Sequence, residues 1–214
     1  MPGYALRLQG EALEALGSGA LWWPGPRVLV VSDLHLGRSG RFARRGGALL
    51  PPYETEATLE RLEAEVSARN PARVICLGDS FDDDAAAGEL AEAHRDWLLR
   101  MMAGRDWIWI TGNHDPGPGG LAGSLRADVQ IGPLVFRHNA EPGATGEVSG
   151  HYHPKARLAG RLRPCFLTDA NRVILPAFGT YTGGMDCRDP VFSGLLARPA
   201  MAILTGQQPI PFPL

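Results

Sequence analysis

The stretch Val28-Leu29-Val30-Val31-Ser32-Asp33-Leu34-His35-Leu36-Gly37 decides the fold. Its run of β-branched and Leu residues predicts a strand buried on both faces, which delivers Asp33 and His35 at its carboxyl end. In an extended chain, side chains at i and i+2 point the same way, so these two face one spot while Leu34 turns inward. One oxygen and one nitrogen donor are thereby presented together. A lone D-x-H triplet is weak evidence, and its weight comes from what recurs downstream.

Two further apolar runs end in the same way. Arg73 to Leu77 (RVICL) passes straight into GDSFDDD, and Asp106 to Ile110 ends in TGNHDPGPGG. Between these strands, Leu59, Leu62 and Val66 set a helix over Glu54 to Arg69 that Asn70-Pro71 terminates. Leu90, His94, Trp97 and Met101 set a second, amphipathic helix. The order is strand, helix, strand, helix, strand, with an acidic or histidine motif at each carboxyl end, the edge where ligands bind in open α/β sheets.

Upstream, Tyr4 to Leu8 and Ala12 to Leu16 alternate about Gln9-Gly10-Glu11 as a hairpin, and Leu21-Trp22-Trp23 stops at Pro24-Gly25-Pro26. RSGRFARRGGALLPPYETE reads as a long loop with at most one helical turn. Beyond Gly123 the pattern changes to short strands: Asp128 to Ile131, Leu134 to His138, Glu147 to Ser149, Phe166 to Thr168, Val173 to Leu175 and Ala200 to Thr205. The tail QQPIPFPL is expected to wrap the surface or fray.

With 214 residues, 44% of them hydrophobic, residues 1–214 are expected to form a single domain with a full core. The longest apolar run, LWWPGPRVLVV, is broken by Pro, Gly and Arg and falls short of the ~20 residues a membrane span needs. No basic-then-apolar leader is apparent, so a cytoplasmic protein is expected. Cys76, Cys165 and Cys187 show no C-x-x-C spacing, which argues against a disulfide framework or a thiolate zinc site. A net charge of −2 excludes a globally basic nucleic-acid binder, so any such surface must be local.

Asp33, His35, Asp79, Asn113, His114, His138, His151 and His153 all fall at predicted strand ends, and they include five of the six histidines. The sixth, His94, lies on a helical apolar stripe and reads as a satisfied, partly buried side chain. Mixed oxygen and nitrogen donors without thiolate suit manganese, iron or zinc better than calcium.

The order DLHLG, GDSFD, GNHD, RH, GHYH resembles the calcineurin-like metallophosphoesterases over nearly the whole chain. That resemblance implies a four-layer αββα sandwich, two mixed sheets flanked by helices. It also implies two divalent metal ions, manganese being the expectation and iron or zinc the alternatives. Asp33, His35, Asp79 and His153 would hold one ion, with Asp79, Asn113, His138 and His151 on the other. A hydroxide bridging such a pair would attack a phosphodiester while the ions polarise the phosphoryl oxygens. His114 would then stabilise those oxygens or protonate the leaving oxygen. Asp115 would orient His114, and Asp82 would hold His35.

FARRGGALLPPYETEATLERL, GNHDPGP, GPLVFRH, GHYHP and LPAFGTYTGG look like a narrower group, the bacterial DNA ligase-associated DNA damage response endonuclease family (PdeM). One position departs: after GDSF that group is expected to carry His, and this chain has Asp82. The likeness implies DNA as substrate, repair as setting, and a DNA ligase and a helicase as functional partners. Arg38, Arg41, Arg44 and Arg45, on the loop leaving the site, would track backbone phosphates. Lys155, Arg157, Arg161 and Arg163 follow the GHYH motif, where an ordinary solvated face is an equal reading. The alternatives are hydrolysis of a small nucleotide or lipid-linked phosphoester, and a non-catalytic scaffold that uses the same fold.

Overall fold

A computed structural model describes residues 3–40, 53–114 and 117–214. Arg41, Arg44, Arg45 and Asp115, with residues 41–52 of the loop expected over 38–56, lie outside the described residues.

The first sheet has seven strands in sequence order: β1 (Gly3–Leu8), β2 (Glu11–Leu16), β3 (Leu21–Trp23), β4 (Val28–Val31), β5 (Arg73–Cys76), β6 (Asp106–Ile110) and β7 (Ser124–Arg126). β1 to β4 pair antiparallel, whereas β4 to β7 run parallel. The expected hairpin forms with Leu8 opposite Glu11, and Gln9 and Gly10 at φ 50° and 85° make the tight turn. β4 is fully buried along its length. Its period-2 geometry sends Leu29 and Val31 to the helices and Val28 and Val30 to the second sheet. That two-sided burial is why the run is continuously apolar instead of alternating.

The second sheet is mixed and has the order β15 (Ile210–Pro213), β14 (Met201–Leu204), β12 (Arg161–Thr168), β13 (Arg172–Ile174), β10 (Glu147–Ser149), β9 (Leu134–Arg137), β8 (Asp128–Ile131), with β11 (Lys155–Leu158) paired to β12. Phe136, Val148, Phe166, Val173 and Ile203 face the first sheet across one apolar layer. Helices α1 (Glu54–Arg69) and α3 (Glu92–Met102) cover the outer face of the first sheet with Leu59, Leu62, Val66, Leu98, Met101 and Met102. A short helix, α2 (Asp84–Gly88), precedes α3, and Asp83 caps it by accepting from the Ala86 N–H. On the far side, α4 (Pro190–Leu195) presses Phe192 against Cys165, Leu167 and Ala202. The layers are therefore α, β, β, α, as the resemblance implied. Among the described residues no helix is long and apolar enough to cross a membrane.

Several local expectations change. Leu90 precedes α3 and packs from outside it, so the buried stripe of that helix is centred on Leu98, Met101 and Met102. β7 was hidden in a Gly-rich, exposed edge segment, and β11 with the first half of β12 in a charged one. The tail neither wraps nor frays. It pairs with β14 as an edge strand, a position where Pro211 and Pro213 are tolerated.

Candidate metal centre

The parallel strands β4, β5 and β6 end side by side, and so do the parallel strands β9 and β10 of the second sheet. Each end is followed by one or two polar residues, and the two sheet edges bring them to one place. Asp33, His35 and His153 form one cluster, and Asp79, His138 and His151 a second, in each of which the donor atoms lie within 4.8 Å of one another.

The turns that carry the clusters are not extensions of the strands. β4 stops at Val31, and Asp33 and His35 have φ of 52° and 46°, so the predicted pleat-like presentation gives way to left-handed backbone. Asp79, His151 and His153 share that conformation at 47°, 70° and 46°. Such non-glycine positions cost ~1–3 kcal/mol each and persist only where their surroundings over-determine them. Here the surroundings are paired turns: Asp33 N–H donates to Gly78 O, His35 N–H to Asp79 O and Leu36 N–H to Ser80 O. Leu34 is buried, as expected. Glycines permit the close approach. A Cβ at Gly150 would lie 1.7 Å from Ser32 Oγ, and one at Gly112 would lie 2.1 Å from Asp79 Oδ1.

In the first cluster, Asp33 Oδ1 stands 3.1 Å from His153 Nε2, and His35 Nε2 stands 3.5 Å from the same nitrogen. Asp33 is anchored through Oδ2, which accepts from Ser32 Oγ and from the His151 N–H at 3.0 Å. His35 Nδ1 lies 3.0 Å from Asp82 Oδ1, which also receives Arg38 Nη1 at 3.2 Å. Arg38 thus turns onto Asp82 rather than standing free for phosphate. Burial opposes the charge on Asp33, but the His153 imidazole and the other neighbours outweigh it and hold the pKa below the ordinary carboxylate value.

In the second cluster, His138 Nε2 lies 2.8 Å from Asn113 Oδ1, 3.2 Å from His151 Nδ1 and 3.5 Å from Asp79 Oδ2. Its Nδ1 is 2.7 Å from the Leu77 carbonyl, which can only accept, so Nδ1 carries the hydrogen. The lone pair of the neutral ring then faces other acceptors. Burial opposes ionisation of Asp79, yet His138, the His114 N–H at 2.8 Å and the nearby imidazoles bring its pKa down to about 2. Burial likewise opposes protonation of His138, but Asp79 and Asp33 raise its pKa above the ordinary imidazole value. For His151, burial and then the charge of His138 lower it.

The donor set fits divalent cations. Carboxylate oxygens and imidazole lone pairs converge on two points, and buried Asp33 Oδ1, 3.1 Å from His153 Nε2, makes no well-aligned hydrogen bond. The field that favours a proton on His138 favours a cation more. Asp79, expected to bridge, groups with His138 and His151, while His35 is close enough to help lower its pKa. Asn113 and His114 are exposed at the rim, and the His114 ring meets the His35 ring edge-on at 5.6 Å. Sequence reasoning missed two supports, the Ser32 hydroxyl and the Leu77 carbonyl. A polar residue closing an apolar run signals the first, and no residue type signals the second.

The model of the calcineurin-like phosphoesterase family matches residues 26–169, which include every residue of both clusters. The chain belongs to the calcineurin-like phosphoesterase family. Among solved structures it is similar to the Pseudomonas putida nuclease MPE, at a TM-score of 0.78 and 29% identity, over 99% of this chain and 100% of that one. Among curated proteins none matches. The family and the two clusters make the chain a metal-dependent phosphoesterase, and both sheets of the family's fold contribute to its centre.

Proposed function

We propose that the chain is a manganese-dependent nuclease that hydrolyses phosphodiester bonds of DNA, as an endonuclease acting in repair. The observation that carries the reading is the pair of His/Asp clusters at an open edge, with exposed His114 and Asn113 at the rim. The nuclease of similar fold, matched over its whole length, supports it.

In this reading Asp33, His35, Asp79 and His153 would hold one ion, and Asp79, Asn113, His138 and His151 would hold the other. When bound, the ions supply Lewis-acid activation of water and neutralise phosphoryl charge. His114 approaches the substrate from the rim and moves a proton to the leaving oxygen. Asp82 fixes the tautomer of His35 through Nδ1. Asp115, beside His114, would orient it. The setting beside a DNA ligase and a helicase rests on the narrower resemblance, and co-purification from cells tests it. The proposed location is the cytoplasm, a reducing compartment that suits cysteines without paired spacing.

Cleavage of supercoiled plasmid and of single-stranded DNA with Mn²⁺ tests the substrate. If the wild type hydrolyses bis-p-nitrophenyl phosphate and leaves every DNA form intact, the nuclease reading fails. One observation favours a second reading, hydrolysis of a small phosphoester: a cavity of 370 Å³ adjoins Asn113 and His138 and is lined by Arg137 and Asp128. Selective turnover of such esters would support it.

A further inference from the structure

A second cavity lies outside the metal centre. It measures 350 Å³ and is lined by two arginines from different layers of the fold, Arg61 on α1 and Arg163 on β12, with Ser18, Thr182 and Gln207 as further polar neighbours. Arg61 lies over the Phe178 ring at 4.6 Å and donates through Nη2 to the Phe178 carbonyl, while its buried Nε has no partner. Arg163 donates through Nη2 to Thr205 O at 2.6 Å. The space for its guanidinium depends on Gly206, where a Cβ would lie 2.3 Å from Nη2.

Neither arginine pairs with a carboxylate among the described residues, although most buried or half-buried arginines do. Burial alone lowers the pKa of Arg61, with no acidic group acting against it. Two like charges on one cavity, with donors unspent and hydroxyls beside them, form a site for an anion. The cavity wall also connects it to the metal centre. Phe178 and Gly179 donate their N–H groups to Ser32 O and Asp33 O, and Lys155, two residues beyond His153, donates through Nζ to Thr182 O.

We infer that Arg61 and Arg163 form a phosphoryl-binding subsite beside the metal centre, which holds a phosphate of the substrate strand other than the one being cleaved. This rests on the phosphodiesterase reading for its choice of phosphate, because substrate and product are phosphates and the guanidinium fork matches their oxygens. A free phosphate ion has the same chemistry and is the other source.

The test uses the metal-loaded full chain, with Arg163→Gln, Arg61→Gln and the charge-retaining Arg163→Lys. Circular dichroism melting reports folding of each variant. Calorimetric titration with inorganic phosphate should show one more binding event in the wild type than in R163Q, with R163K intermediate. For an oligonucleotide substrate, kcat/KM relative to that for bis-p-nitrophenyl phosphate should fall about ten-fold or more in R163Q, mainly through KM. The slope of log affinity against log salt should fall by about 0.7 to 0.9, one phosphate contact. Loss of the phosphate event with an unchanged ratio and slope identifies free phosphate as the ligand. Equal phosphate stoichiometry and equal ratios in folded wild type, R163Q and R61Q overturn the subsite. If the wild type turns over the small ester and cuts no nucleic acid, the nuclease reading fails separately and the phosphate titration alone decides the cavity.

Discussion

The two halves of the metal cage orient their central histidines by different means. His35 is backed by the Asp82 carboxylate, itself met by Arg38, whereas His138 is backed by the Leu77 carbonyl of the main chain. A carboxylate makes a ring a stronger donor and can be removed by substitution. A backbone carbonyl is neutral and moves only with its strand. The first half is therefore adjustable through side chains, and the second is fixed by the fold.

Four substitutions sharpen or break that contrast. Asp79→Asn removes the carboxylate proposed to serve both ions and should abolish metal-dependent turnover, with a drop in bound metal by elemental analysis. Retained activity would remove Asp79 from the centre. His114→Ala leaves both clusters intact, so metal content should hold while kcat falls by ~10² to 10⁴. A loss of metal instead would make His114 a ligand. Asp82→Asn should weaken metal binding or activity by roughly 10–100-fold through His35 alone. Metal titration should then show one site weakened and the other unchanged, and equal weakening of both would break the contrast. Arg38→Gln touches only the outer partner of Asp82, a pair partly open to solvent, and should cost no more than a few-fold.

Legibility in the sequence divides along a similar line. The β4, β5 and β6 runs and the stripe of α1 could be read directly, because burial on two faces or on one stripe leaves a periodic apolar record. The cluster residues were readable as types at strand ends. Their left-handed backbone was not, since Asp33 and His35 adopt it through hydrogen bonds to Gly78 and Asp79, more than forty residues away. β7, β11 and the start of β12 left no apolar record, because edge and hairpin strands are exposed. Arg61 sits among the charged residues of α1 in sequence, and only the packing of Phe178 under it sets it apart.

The proline strand at the margin of the second sheet has a consequence for solubility. Within β15, Phe212 pairs inward with Ala202 while the backbone nitrogens of Pro211 and Pro213 point away from β14. At those outward positions there is no hydrogen to offer, so a foreign strand approaching this margin finds acceptors without donors. This margin of the sheet is blocked by its own composition, so templated self-association is disfavoured here.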